Sequence, residues 1–435
     1  MLHLHGLTSF IDQVAEETLA QRKIAGVSVS VSHRGQLVHS NGYGYADVKR
    51  RIYATAATIY SLGSMTKQFT SVAVLRLAER GSIELDAPIA TCLPLKCPVT
   101  SPASIRDVLT HTAGIRGDLE RMMLADSRDS KALTREGVLA LVTDELFDAR
   151  PRDVWRYSNF GYYLLGIVIE EVSGMSYAEY LTTDVLLPAG LSNTAYVLES
   201  LSPDRLAQGY TEDDDAFASV DLPSSQQTFA SGGLFSNVLD LQQWRVAVQD
   251  GRLLSERSYM QMTAPAILSN GQPTSYGLGF FLGACGSYRE IGHDSTSGGF
   301  SGQSAYYPEA DLSVVVLMNC ERHEAERLEK RISRRVLGVE EPNVESAEIS
   351  ISGLAKYVGK YIHKGLEVPV ELQGSRLTIS IPKRRPVELL YQGNDTFAQG
   401  DDLSTRFEFA VHSAHADSFT VIREGKAIAN ARRLS

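Results

Sequence analysis

Ser64 and Lys67 are spaced to do chemistry together. They stand in Tyr60-Ser61-Leu62-Gly63-Ser64-Met65-Thr66-Lys67-Gln68-Phe69, where small residues give way to an apolar-periodic stretch. That run predicts a helix starting near Ser64, reaching about Arg80 and stopping at Gly81. Residues three apart lie on one helix face, so the amine can reach the hydroxyl. A serine becomes a nucleophile when a neighbouring base takes its proton, and a desolvated lysine amine can do this. The open N–H groups of a helix start also favour developing negative charge. Ser380 and Lys383 repeat the spacing, but in an alternating segment that contains Pro382. On a strand, positions three apart face opposite ways, so the spacing means nothing there. Taken alone, the Ser64 pair is equally well read as a helix-capping serine and an exposed lysine.

Two other stretches carry candidate chemistry. Trp155-Arg156-Tyr157-Ser158-Asn159-Phe160-Gly161 reads as a loop entering an apolar helix. A phenol beside a lysine gives up its proton more readily, because the cation favours phenolate, and can relay a proton to a leaving group. Asn159 offers an amide for a substrate carbonyl or for the lysine. A buried tyrosine with a capping asparagine is the plainer reading of this motif by itself. The second stretch is Ile291-Gly292-His293-Asp294-Ser295-Thr296-Ser297-Gly298-Gly299. Glycines and small residues on a β segment let a ligand backbone approach closely, and its N–H groups can join that of Ser64 in an oxyanion hole. The alternative is a glycine-rich turn beside a surface histidine.

The elements that must position these residues follow from periodicity. Residues 8–22 pattern as an amphipathic helix, and 24–39 alternate about a Gly35 turn as a hairpin. Helical patterns recur at 104–110, 131–147, 161–173, 176–186 and 237–250. β character returns at 274–283 and 286–293, then in a hairpin over 301–318, and a basic helix follows at 321–337. β segments at both ends flank a helical middle. The expected fold is therefore α+β, an antiparallel sheet flanked by helices with an inserted helical subdomain and the site in the cleft between. The acidic, proline-containing run 339–350 reads as a linker between a domain at 1–338 and a second at 351–435. The second shows about eight short alternating strands, which predicts a small barrel or sandwich.

Composition narrows the function. The 435 residues carry a net charge of −10, are 43% hydrophobic and 22% charged, and show no basic stripe interleaved with aromatics. A nucleic-acid partner is not expected. No apolar run approaches the roughly 20 residues that span a bilayer, so no membrane partner is expected either. The start, Met1-Leu2-His3-Leu4-His5, has no secretory pattern; the expectation is cytoplasmic, or periplasmic or secreted if a leader was removed. Cys92, Cys97, Cys285 and Cys320 lack metal or redox spacing and read as buried thiols, with a Cys92–Cys97 bridge as the minor alternative. The histidines form no complete metal-ligand set. His111 reads as a structural loop residue.

In this order, Ser-x-x-Lys on a helix start, Tyr-x-Asn in a helical region and a glycine-bounded strand resemble the serine β-lactamase and penicillin-binding-protein superfamily. The chain looks most like the class C β-lactamase-like hydrolases, which include D-aminopeptidases, D-amino-acid amidases and family VIII esterases. Leu109-Thr110-His111-Thr112-Ala113-Gly114, Ser231-Gly232-Gly233 and Tyr276-Gly277-Leu278-Gly279 look similar as well. The likeness covers roughly residues 8–337. The C-terminal part more loosely resembles the lipocalin-like domain of some peptidases of the group. The resemblance implies a cofactor-free acyl-enzyme mechanism. In it Ser64 is the nucleophile, Lys67 or Tyr157 the base, and Tyr157 the proton donor to the leaving group. Asn159 orients Lys67, and the N–H groups of Ser64 and Thr296 form the oxyanion hole.

One departure bears on substrate. Where many members have Lys-Thr-Gly, this chain has His293-Asp294-Ser295. A mostly neutral histidine beside an aspartate is a poor site for a carboxylate. Ser295 in place of glycine is expected to narrow the approach. These features point away from β-lactams and D,D-carboxypeptidase substrates. They point toward small amides or peptides of D-amino acids, with Asp294 or Asp118 holding an α-ammonium group, or toward short esters. A silent cleft with a ligand-binding barrel is the non-enzymatic alternative. Self-association is left open.

Overall fold

Val27-Ser28-Val29-Ser30-Val31-Ser32 forms the expected strand. β1 (Gly26–His33) turns at Arg34 and Gly35, both with positive φ, into β2 (Gln36–Asp47). The computed structural model describes residues 5–22, 24–95, 99–118, 134–213, 216–222, 225–320, 324–341, 346–363, 366–380, 386–400, 402–412, 414–423 and 426–434. They divide into two compact units, Met1–Gly338 and Val339–Ser435.

In the first unit, β1 pairs on its far side with β7 (Leu312–Met318), Val29 opposite Val316. The two ends of the unit thus share one sheet, as the β segments flanking a helical middle require. Its seven strands run β3-β2-β1-β7-β6-β5-β4 and are antiparallel throughout. Here β3 is Ile52–Tyr53, β4 Phe281–Cys285, β5 Tyr288–Ser297 and β6 Phe300–Tyr307. The serines of β1 are as buried as its valines, because helices cover both faces. Ser30 Oγ donates to the carbonyl of Val238 and Ser32 Oγ bonds the Gln242 side chain, so the polar half of the alternation is satisfied within the fold.

The inserted helical part carries α2 (Thr66–Glu79), after α1 (Leu7–Arg22), then α3 (Ile105–Leu109), α4 (Asn159–Ser173), α5 (Ser225–Gly232) and α6 (Val238–Gln249). α7 (Glu324–Leu337) closes the unit. α4 is buried from Phe160 to Ile169, which explains why its sequence is apolar on nearly every face. The pattern over 131–147 yields a helix only at Arg135–Ala140 and a 3-10 turn at Asp144–Leu146; residues 131–133 lie outside the described set. Residues 274–280, expected as β, form a loop instead. Gly279 has φ +86°, and a Cβ there would lie 2.4 Å from Ser71 Oγ and 2.9 Å from the Lys67 carbonyl. The loop therefore lies directly on α2, a contact that alternation cannot signal.

The second unit is a closed antiparallel barrel of eight strands in sequence order. They are β8 (Gly359–His363), β9 (Leu366–Gln373), β10 (Arg376–Ile379), β11 (Val387–Gly393), β12 (Thr396–Gln399), β13 (Asp402–His412), β14 (His415–Arg423) and β15 (Lys426–Arg433). The strand expected at 355–361 starts only at Gly359. Before it, Ser350 caps a helical turn, Ile351–Leu354, that runs into a 3-10 turn. Tyr357, Tyr361, Phe397, Phe407, Phe409 and Phe419 fill the described interior, with ring centroids such as Tyr357–Phe397 at 4.7 Å and Phe409–Phe419 at 5.2 Å. The barrel is closed around side chains, as small barrels are. Ser380 follows β10, and Lys383 lies outside the described residues.

Cys285 is buried, and burial pushes its thiol up to about 12. Cys92 is half-buried, and Cys97 lies outside the described residues. Among the described residues, no helix is long and apolar enough to cross a membrane.

Candidate active site

Ser64 sits in a 3-10 turn, Gly63–Met65, that leads directly into α2. Gly63 has φ +46°, a conformation that glycine adopts without strain, and this sharp turn leaves Ser64 part-exposed at the helix start. Lys67, one turn on, is fully buried. Its Nζ lies 3.3 Å from Ser64 Oγ, 2.7 Å from Asn159 Oδ1 and 2.7 Å from the Ser231 carbonyl. It also sits 4.8 Å from the centre of the Tyr157 ring. The sequence pairing of Ser64 with Lys67 is therefore a contact, and Asn159 completes it.

The Ser231 carbonyl is available because α5 ends at Gly232, which leaves its last carbonyls without helical partners; the helix is also kinked before it. Phe229 has φ +34° and ψ −133°, outside the helical region. Such strain concentrates at functional sites. The break sits against α4 at Gly166, where a Cβ would come within 2.4 Å of the Phe229 ring. Nothing in the local sequence marks this carbonyl as a lysine partner.

Tyr157 and Asn159 enter on the loop before α4. Ser158 is the helix cap, its Oγ accepting from Gly161 N, and Asn159 is the first helical residue. A side chain at that position points back over the helix start, toward Lys67. The Tyr157 ring packs against His111, with centroids 4.3 Å apart and the planes tilted by 38°. His111 is buried, and its Nδ1 accepts the Ser158 N–H. Burial, then the Lys67 charge, hold its pKa well below the usual histidine range.

β5 packs beside the Ser64 turn. His293 is buried rather than a surface residue. Its Nδ1 bonds the Asp294 carbonyl at 2.6 Å, so Nδ1 carries the proton and Nε2 accepts from Tyr276 Oη at 2.9 Å. Burial, followed by the Lys67 charge, lowers its pKa to about 3. His293 is thus a neutral ring with both nitrogens engaged by the protein. Alternation puts Ser295 on the same side, buried, its Oγ 3.3 Å from the Cβ position of Gly302. Ser295 thus packs over that glycine.

Asp294 and Thr296 face the other way. Ser297 and Phe300 close a two-residue turn of Gly298 and Gly299, φ +59° and +81°. In such a hairpin the closing pair exchanges backbone bonds, and every second residue turns its N–H and C=O outward. Thr296 and Asp294 are those residues. β4 pairs with β5 only from Gly292 back to Tyr288. Among the described residues, no strand covers the outward backbone of Thr296. Its Oγ1 is buried without a hydrogen-bond partner among them. The Asp294 side chain is 39% exposed. Asp118, the alternative acid, is forked onto the Arg116 guanidinium at 2.5 and 3.0 Å.

The arrangement places a hydroxyl against a buried amine, a phenol beside that amine and a backbone edge alongside. This is what acyl transfer needs. The profile of the family described as Beta-lactamase matches residues 11–338. The chain belongs to the beta-lactamase family. Members of this family are serine hydrolases. Penicillin-binding protein 4* of Bacillus subtilis (strain 168) is 25% identical over 437 residues, covering 95% of this chain and 96% of that protein. Putative penicillin-binding protein PbpX of the same organism is 29% identical over 262 residues, 60% of this chain, and the chain spans 63% of its length. The octameric penicillin-binding protein homologue from Pyrococcus abyssi superposes with a TM-score of 0.73 at 25% identity, covering 97% of this chain and 99% of that one. D-amino acid amidase from Ochrobactrum anthropi SV3 shares the fold at TM-score 0.65 and 22% identity, over 77% of this chain and 98% of its own.

Within this beta-lactamase fold, Ser64, Lys67, Tyr157 and Asn159, singled out by sequence pattern, lie together, and His111, expected as a structural loop residue, packs against Tyr157. Sequence pattern missed the Ser231 carbonyl and the link from Tyr276 to His293. Each missed contact joins segments far apart in the chain. The one local signal was composition: Tyr276 and Ser231 both sit in glycine-bounded stretches.

Proposed function

We propose that the protein cleaves amide bonds of small D-amino-acid-containing peptides or amides through an acyl-enzyme on Ser64. The observation that carries this reading is the geometry at Lys67 Nζ. Asn159 Oδ1 and the Ser231 carbonyl, each 2.7 Å from Nζ, can only accept. A neutral amine has two N–H groups for them and one lone pair left, which then faces Ser64 Oγ. In that state Lys67 takes the Ser64 proton as Oγ attacks the substrate carbonyl. The oxyanion is held by the N–H groups of Ser64 and Thr296, each such donor contributing about 100- to 1,000-fold in rate. The proton passes by way of Tyr157 to the leaving nitrogen as the C–N bond breaks. Water, deprotonated by the same pair, attacks the ester and frees Ser64.

The substrate class rests on charge. His293 is neutral with both nitrogens engaged, so it offers a substrate carboxylate no cationic partner. Asp294 lies at the open strand edge and suits a free α-ammonium group. The amidase fold likeness is consistent with this. A kinetic panel of D- and L-aminoacyl p-nitroanilides, short p-nitrophenyl esters and nitrocefin tests it. D-selective anilide turnover is expected; ester-only turnover selects the esterase, and nitrocefin turnover overturns the charge argument. The full-length likeness to an octameric homologue also supports self-association, which light scattering on purified protein tests.

A further inference from the structure

We propose that His111 is a positioning residue that sets Tyr157 and Asn159 against Lys67. The proposal rests on the acyl-enzyme reading above. His111 adopts φ +61°, a left-handed conformation that histidine and asparagine tolerate better than most residues. In this conformation its backbone and side chain both reach the same loop. Its carbonyl accepts the Arg156 N–H at 2.8 Å, and its Nδ1 accepts the Ser158 N–H at 3.1 Å. Those are the amides on either side of Tyr157. The imidazole between them packs against the Tyr157 ring, centroids 4.3 Å apart and planes tilted by 38°. One residue therefore clasps the tyrosine from both sides and supports its ring.

The clasp passes on to Lys67. Ser158, gripped through its N–H, caps α4, and Asn159 next to it bonds Lys67 Nζ. Because Nδ1 is the acceptor, the ring proton lies on Nε2, which is buried without a hydrogen-bond partner among the described residues. The His111 ring lies among aromatic rings, its centroid 4.7 Å from that of Tyr276 and 5.1 Å from that of Tyr162. A second proton would have to sit on Nδ1, where the Ser158 N–H already points, so the ring stays neutral and Nδ1 stays an acceptor. The clasp is thus present across the neutral pH range. His111 touches neither the expected substrate position nor Ser64; it acts through Tyr157 and Asn159.

Three variants test this in the full chain, with D-alanine p-nitroanilide and p-nitrophenyl acetate as probes. The result is scored on whichever probe shows the larger Y157F effect. H111G keeps the left-handed backbone but removes the side-chain acceptor. H111N keeps both, since asparagine Oδ1 stands near the place of Nδ1. A displacement of about 1 Å near reacting groups costs up to about 100-fold, so H111G should lower kcat about 10- to 100-fold with little change in KM. H111N should recover to within about 3-fold of wild type. In a Y157F background H111G should cost less than about 3-fold more, because the two act as one unit. An equal loss in both backgrounds, or no rescue by H111N at unchanged melting temperature, overturns the proposal. If H111G does not fold, H111A, which also lacks the acceptor, takes its place under the same criteria, and no loss of kcat in the acceptor-less variant overturns the proposal. Wild-type turnover by Y157F would instead sink the Tyr157 reading itself.

Discussion

Glu329 on α7 makes a pH dependence that can be worked from the structure. It is fully buried and accepts from Tyr307 Oη at 2.9 Å and from Ser333 Oγ at 2.5 Å. Across from it on β5 is Glu290, which bonds Lys330 and accepts from Gln303. Burial, then the Glu290 charge, raises the Glu329 pKa from 4.5 to about 8. The folded chain therefore holds this proton more tightly than the unfolded chain does. The stability that follows is complete below about pH 4.5 and is lost as pH rises through about 8. At 1.36 kcal/mol per pH unit the full span is on the order of 5 kcal/mol, less what Glu290 shares through coupling. The buried histidines pull the other way, because His111 and His293 are held neutral by the fold and contribute above pH 6.5. The difference between wild type and E329Q isolates the carboxyl. Calorimetry from pH 5 to pH 9 should show the wild-type melting temperature falling relative to E329Q by roughly 5–10 °C. Parallel curves for the two proteins would refute the reasoning.

Three further outcomes are expected. N159A removes a carbonyl acceptor that orients the neutral Lys67 amine; such a hydrogen bond contributes about 0.5–1.5 kcal/mol, so acylation should slow about 2- to 10-fold in a stopped-flow burst. G166A places a Cβ 2.4 Å from the Phe229 ring and 2.6 Å from Ala230 Cβ. It should cost about 1–3 kcal/mol in denaturant melts and slow acylation as well, because the kink that places the Ser231 carbonyl against Lys67 is displaced. D294N should lower the preference for D-alanine p-nitroanilide over its N-acetyl form; an unchanged ratio of kcat/KM values would remove Asp294 from substrate recognition.

Much of the fold was legible because it depends on local pattern. The β1–β2 hairpin and α2 followed from alternation, helical spacing and glycine stops. So did the strands of the barrel, where turn residues recur at short intervals. Ser64 and Lys67 were legible for the same reason, since a helix converts sequence spacing into contact. Patterns failed where tertiary packing decides. The stretch 274–280 alternates like a strand, yet Gly279 is drawn onto α2. The start of the barrel alternates too, yet the Ser350 cap makes a helical turn there. His111 looked like a loop histidine because both groups it clasps lie more than forty residues away, at Arg156 and Ser158. The burial of His293 was not legible because its partner Tyr276 sits on a different segment.

The central claim is that Lys67 makes Ser64 a nucleophile. It is tested most directly by mass spectrometry of the folded protein after treatment with a fluorophosphonate. A single adduct on the peptide containing Ser64, absent in S64A and slowed by at least about 100-fold in K67A, is the predicted result. Labelling of another residue, no labelling at all, or labelling of K67A at the wild-type rate would contradict it.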